Sequence, residues 1–223
     1  MNDIGAAFKF QFRDPNWVSK MLLGALFEFL GLLLIGRFLV MGYQVEVIQR
    51  VIRKEQNPLP EWDRLSEKLL DGIKLFVISI VYLIPLLAIL LLIVFFVLFG
   101  AALNLDEVVA LSSVTFVAAI LLIVLPYSLF IAILMPTIYM KYALNKKMSN
   151  ALNVSAVLKF FAQNWQNVII LALIMLGVSL LAFFGVLFCI IGIFFTSFYA
   201  KLVSAHLTGQ LYLASPDAQA STT

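Results

Sequence analysis

The chain has 223 residues, 63% of them hydrophobic and 12% charged, with a net charge of +3 and a mean hydropathy of +1.06. Soluble domains hold roughly 25% charged and 45–50% apolar residues, so the composition excludes a water-soluble globular protein and places the chain in a membrane. The lone cysteine, Cys189, excludes an internal disulfide, and the lone histidine, His206, excludes a multi-histidine metal site. No cofactor is expected, with a haem or chlorophyll ligated axially by His206 as the one alternative left open.

Residues 1–17, with Lys9 and Arg13, read as an interfacial segment. Asp14, Pro15 and Trp17 break a signal-peptide n-region, Glu28 interrupts the apolar stretch and no small-x-small cleavage site follows, so the expectation is that no leader is removed. Residues 18–54 are either one long helix or a short hairpin turning near 31–36. The hairpin is favoured by an internal echo: Lys9-Phe10, Asn16-Trp17 and an apolar run resemble Lys159-Phe160, Asn164-Trp165 and an apolar run. It is also favoured by charge, because it leaves Lys9, Arg13 and Lys20 on the same side as the basic segment 50–74. Its arms of about 17 residues reach only about 25 Å, short of a hydrocarbon core of roughly 30 Å, which fits a re-entrant element.

A cytoplasmic collar over 55–72 follows. Residues 75–105 and 108–140 are 31 and 33 residues long without Asp, Glu, Lys, Arg or His, and each suffices for one membrane-crossing helix. Residues 160–200 form a 41-residue run, long enough for two spans with a reversal among Phe183, Phe184, Gly185 and Val186, Gly185 supplying a left-handed cap. The expected architecture is all-α: a polytopic transmembrane bundle forming one domain over 1–213, with spans near 73–100, 108–140, 166–183 and 187–211 and a disordered tail at 214–223. Lys141, Lys146, Lys147 and Lys159 lie in one loop and no cation lies in 101–107, which puts the first loop and the C-terminus in the cytoplasm. Lys201 then snorkels from the inner end of the last span.

Glu28 and Arg37 are the ionised groups of the first apolar stretch, and intramembrane charge costs roughly 2.5–3.5 kcal/mol. Nine residues apart on one helix they point to opposite faces. In a hairpin, Arg37 reaches the outer turn, while Glu28 stays buried and is protonated or paired. One reading of Glu28 is a proton or cation relay with Tyr82 or Tyr127; the other is an acid facing a neighbouring helix. Pro85, Pro126 and Pro136 lie inside spans, where proline kinks the helix. Gly185 and Gly192 are read as packing positions.

Segment 43–74 is the most distinctive. Val47, Ile48, Val51 and Ile52 form a stripe opposite Glu46, Gln49, Arg50, Arg53 and Lys54, so this helix is suited to lying along the lipid surface. Asn57-Pro58-Leu59-Pro60 is extended. Asp63 is placed to cap a helix whose apolar positions Leu65, Leu69, Leu70 and Ile73 run into the next span.

Gly42-Tyr43, Arg50, Leu59-Pro60-Glu61-Trp62 and Asp71-Gly72 resemble the signature of an uncharacterised prokaryotic multi-pass membrane family, the domain of unknown function 4013, with the likeness continuing to Gly209-Gln210. The resemblance implies a bacterial or archaeal inner-membrane protein without established activity, and it assigns no role to Glu28 or Arg37.

No HExxH, GxSxG, P-loop or dinucleotide fingerprint occurs, so no enzyme is expected. The leading reading is a non-catalytic accessory subunit or scaffold packing against another membrane protein or itself in the bilayer, without nucleic acid. It rests on the lack of a polar constellation inside the membrane. The alternative is a small-solute or lipid transporter with Glu28 in the pathway.

Overall fold

The computed structural model describes residues 4–57, 59–103, 106–185 and 189–220. Among them there are helices and turns and no strand, as expected where lipid offers the backbone no partners. Among the described residues, three helices are long and apolar enough to cross a membrane, over Leu65–Ala102, Val114–Ala143 and Val154–Phe183. The chain divides into two compact units, Met1–Ile78 with Leu134–Thr223, and Ser79–Ile133.

In the first unit, α1 (Ile4–Lys9) continues into a 3-10 turn at Phe10–Arg13 and meets α2 (Trp17–Leu30) at a bend of 103°. A 3-10 turn at Gly31–Leu33 and a positive φ at Leu34 reverse the chain into α3 (Ile35–Ile52). Of the two forms open on sequence, residues 17–52 therefore take the hairpin. Its helices of 14 and 18 residues reach about 21 and 27 Å at 1.5 Å per residue. Gly36 lets the reversal close, because a Cβ there would overlap the Phe27 carbonyl.

The later copy of the echo behaves similarly. After the short α7 (Met148–Leu152), Asn153 caps α8 (Val154–Phe183) by accepting from the Ala156 amide, and the helix breaks at Asn164, whose side chain donates to the Phe160 carbonyl at 3.0 Å. Both copies thus bend at an asparagine and restart at a tryptophan. The reversal after α8 differs from expectation in its described part. No described glycine has a positive φ, and Gly185 serves close approach, since its Cβ would overlap the Thr196 side chain. Val186 lies outside the described residues.

Helix α9 (Cys189–Leu213) is the hub of this unit, packing against α1, α2, α3 and α8. Gly24 faces the buried Phe198 ring, and Gly209 faces Val51 and the Ile48 carbonyl. Val47, Ile48 and Val51 are consequently buried. The apolar stripe expected on the lipid surface is inside the protein because α9 covers it. The segment read as a disordered tail forms, over Pro216–Ala220, the short helix α10. Proline suits a first helical turn, and Asp217 pairs with Lys141 at 3.4 Å.

The second unit comprises the distal turns of α4 (Leu65–Ala102), then α5 (Asp106–Ala119), a π-turn at Ile120–Val124 and the start of α6 (Leu125–Ala143). The widened turn closely precedes Pro126, which has no amide proton to donate. Tyr127 donates to the Tyr82 carbonyl at 2.6 Å. Otherwise this unit presents mostly exposed apolar side chains, among them Leu91, Leu98, Leu111 and Leu122.

Candidate functional site

The polar groups of the first unit gather around the hairpin and the start of α4, at the residues that carry the sequence signature. Glycine sets the frame. A Cβ on Gly42 would overlap the Lys68 carbonyl, and one on Gly72 would overlap the Phe38 carbonyl, so α3 and α4 touch backbone to backbone at a reciprocal glycine pair. From this crossing the two helices line a charged crevice of about 330 Å³, with Gly42 in its wall.

Lys68 and Asp71 are 2% and 6% exposed. Lys68 meets Glu46 at 2.7 Å; Asp71 accepts from Lys146 and from the Tyr142 hydroxyl, each at 2.7 Å. Leu65, Leu70 and Ile73 meanwhile point outward. At the first turns of α4, Lys68 and Asp71 thus turn inward while Leu65 and Leu70 turn outward, with Glu67 remaining exposed. Tyr142→Phe removes one hydrogen bond and leaves Asp71 with Lys146, so a loss of about 0.5–1.5 kcal/mol is expected in a detergent unfolding titration.

The strap over 53–64 is fastened at several points. Tyr43 donates to the Pro60 carbonyl at 2.7 Å and stacks on Trp62 with centroids 4.2 Å apart. The Trp62 indole donates to the Lys20 carbonyl at 2.9 Å, and Arg50 holds Glu46 at 2.9 Å while reaching the Asn57 and Leu59 carbonyls. Lys20, only 4% exposed, contacts Asp14 and Glu61, each at 2.6 Å, and the Leu59 carbonyl at 3.3 Å. Asp63 does not start the helix as expected: the Arg64 carbonyl accepts the first helical bonds, and the Asp63 carboxylate takes Lys68 at 3.4 Å. Burial pushes the Asp63 carboxyl up, but Lys68 and Arg64 outweigh it and hold it below the usual carboxylate range.

Glu28 is paired, and its partner is Lys201 on α9. Lys201, expected to snorkel, is half-buried and directs its ammonium to this carboxylate. Arg37 is exposed at the start of α3, beside the turn. Tyr82 and Tyr127 meet each other within the second unit. His206 is buried, stacks on Phe10 with centroids 4.5 Å apart and has Nδ1 3.3 Å from the Gln210 amide nitrogen. Among the described residues no group of three or more His, Cys, Asp or Glu side chains is placed to hold a metal ion. The Cys189 side chain lies outside the described residues.

Sequence reasoning missed the pairings themselves. Lys201 and Glu28 are 173 positions apart, and Tyr142 and Asp71 are 71 apart, so no local spacing announces them. The available signal was the placement of Lys68 and Asp71 three apart on the face of α4 opposite Leu70. At this end of the unit paired charges fill the interior.

The architecture is that of an all-helical protein with helices suited to crossing a membrane. Residues 26–196 match the family described as Protein of unknown function (DUF4013), and the chain belongs to that family. The match contains the whole glycine crossing and strap and ends before Gly209-Gln210. No curated protein and no solved structure matches the chain.

Proposed function

We propose that the protein is a non-catalytic accessory or scaffold subunit of a prokaryotic inner membrane, with its C-terminus in the cytoplasm, acting through contact with another membrane protein or with a second copy. The observation that carries this reading is the second unit, Ser79–Ile133, which leaves Leu91, Leu92, Leu98, Leu111, Leu122 and Leu129 exposed. Apolar surface alone does not drive association in lipid, but two long helical arms with little interior of their own offer extensive surface for van der Waals packing. The close pairing of Glu28, Lys20, Lys68 and Asp71 with opposite charges fits structural use of these groups. Purification in mild detergent followed by mass measurement tests it. A defined oligomer or a stoichiometric membrane partner is expected; a strictly monomeric species without a companion contradicts the reading.

A second reading, a small-solute or lipid transporter, is favoured by a cavity of about 270 Å³ lined by Ser179, Ser197, Lys201 and Ser204, where Lys201 is the partner of Glu28. The lining is mainly apolar, with Ala182, Phe183, Ile193 and Ala200 beside the serines, and an intramembrane ion pair in such a wall is a functional-site hypothesis by default. Glu28→Gln is then expected to alter pH-dependent flux in liposomes at least tenfold, and the absence of flux in both forms disposes of transport.

A further inference from the structure

The crevice between α3 and α4 holds two kinds of cation. The ammonium groups of Lys68 and Lys146 sit 2.7 Å from Glu46 and Asp71 and neutralise the two deepest carboxylates. The guanidinium groups are less committed. Arg53 approaches Glu55 at 3.9 Å, Arg64 has carboxylate contacts at 3.3, 3.5 and 3.6 Å, and Arg50 adds a 3.7 Å contact with Glu55 to its single close one. None makes the paired fork contact at about 2.7–2.9 Å that a guanidinium forms with a matched oxyanion.

With the two lysine pairs set aside, the walls carry Arg50, Arg53 and Arg64 against Glu55 and Glu67; Asp63 adds a 3.6 Å contact to Arg64 from outside the walls, and Arg50 already serves Glu46 and the Asn57 and Leu59 carbonyls, so the spare donor capacity lies mainly on Arg53 and Arg64. The crevice volume of about 330 Å³ is in the range of small-ligand sites.

We propose that this crevice binds a phosphate group through Arg50, Arg53 and Arg64, either on a lipid headgroup or free in solution. This goes beyond the scaffold reading and does not depend on it.

The test uses the full chain in detergent, analysed by native mass spectrometry with dioleoyl phosphatidic acid, dioleoylglycerol and inorganic phosphate as probes. Wild type is expected to retain phosphatidic acid at least tenfold over dioleoylglycerol, or to bind inorganic phosphate. Retention that millimolar phosphate does not displace assigns the site to a headgroup, and displacement or direct phosphate binding assigns it to the free ion. R53Q/R64Q changes only exposed side chains and is expected to abolish the preference while helical content stays unchanged. K9Q/R13Q, which removes the same charge elsewhere, is expected to preserve it. Equal retention of the two lipids without phosphate binding, a preference surviving in R53Q/R64Q, or an equal loss in K9Q/R13Q overturns the proposal.

Discussion

Lys20→Met is expected to cost about 3–5 kcal/mol of stability, the range for removing one partner of a buried ion pair. Lys20 lies inside the first unit, and the Asp14 carboxylate it neutralises is 2% exposed. Methionine fills similar volume, so the loss is not a cavity effect. Asp14 would keep only the Asn16 amide at 2.8 Å, whereas Glu61, largely exposed, returns to water. The double variant Asp14→Asn/Lys20→Met removes both charges and is expected to recover much of the loss. Unfolding followed by circular dichroism in mixed micelles measures both. A single-variant cost below about 1 kcal/mol without recovery in the double variant would mean that the pair is solvated.

Gly42→Val is the second large effect. The new Cβ would collide with the Lys68 carbonyl, a backbone atom that cannot rotate away, and overpacking of this kind typically costs about 1–3 kcal/mol and occasionally more. The upper end is expected, because separating α3 from α4 also stretches Glu46 from Lys68, now 2.7 Å apart. Gly177 provides the control. A Cβ on Gly177 would meet no atom within 4 Å, so Gly177→Ala is expected to be neutral or to stabilise by up to about 1 kcal/mol through helix propensity. Equal effects at the two positions, in the same unfolding assay, would remove close approach as the reason for glycine at 42.

The long spans were legible because hydropathy acts locally: an uncharged run of 31 residues in lipid has few solutions besides a helix. The hairpin at 17–52 was half legible. Its arms showed in charge and in the Asn-Trp echo, but Leu34, which carries no turn signal of its own, takes the positive φ at the reversal. The signature residues were visible as a pattern whose reasons were not. Gly42 and Gly72 need the α3–α4 crossing to be understood, and Trp62 needs the Lys20 carbonyl. The burial of Val47 and Val51 could not be read because it depends on Gly209, far along the chain. The pairing of the collar's charges was hidden for the same reason: the partners of Lys68 and Asp71 arrive from α3, α6 and the turn after α6.

At the first turns of α4 the unit buries Lys68 and Asp71 and turns Leu65 and Leu70 outward, an arrangement suited to a helix start that meets lipid. A nitroxide at Leu70→Cys in a Cys189→Ser background, with the protein in liposomes, addresses it by collision with oxygen and with a water-soluble nickel chelate. Leu70 is 56% exposed while Lys68 is 2%. Oxygen collisions are expected to dominate at position 70. Domination by the nickel chelate would place this face of α4 in water and contradict it.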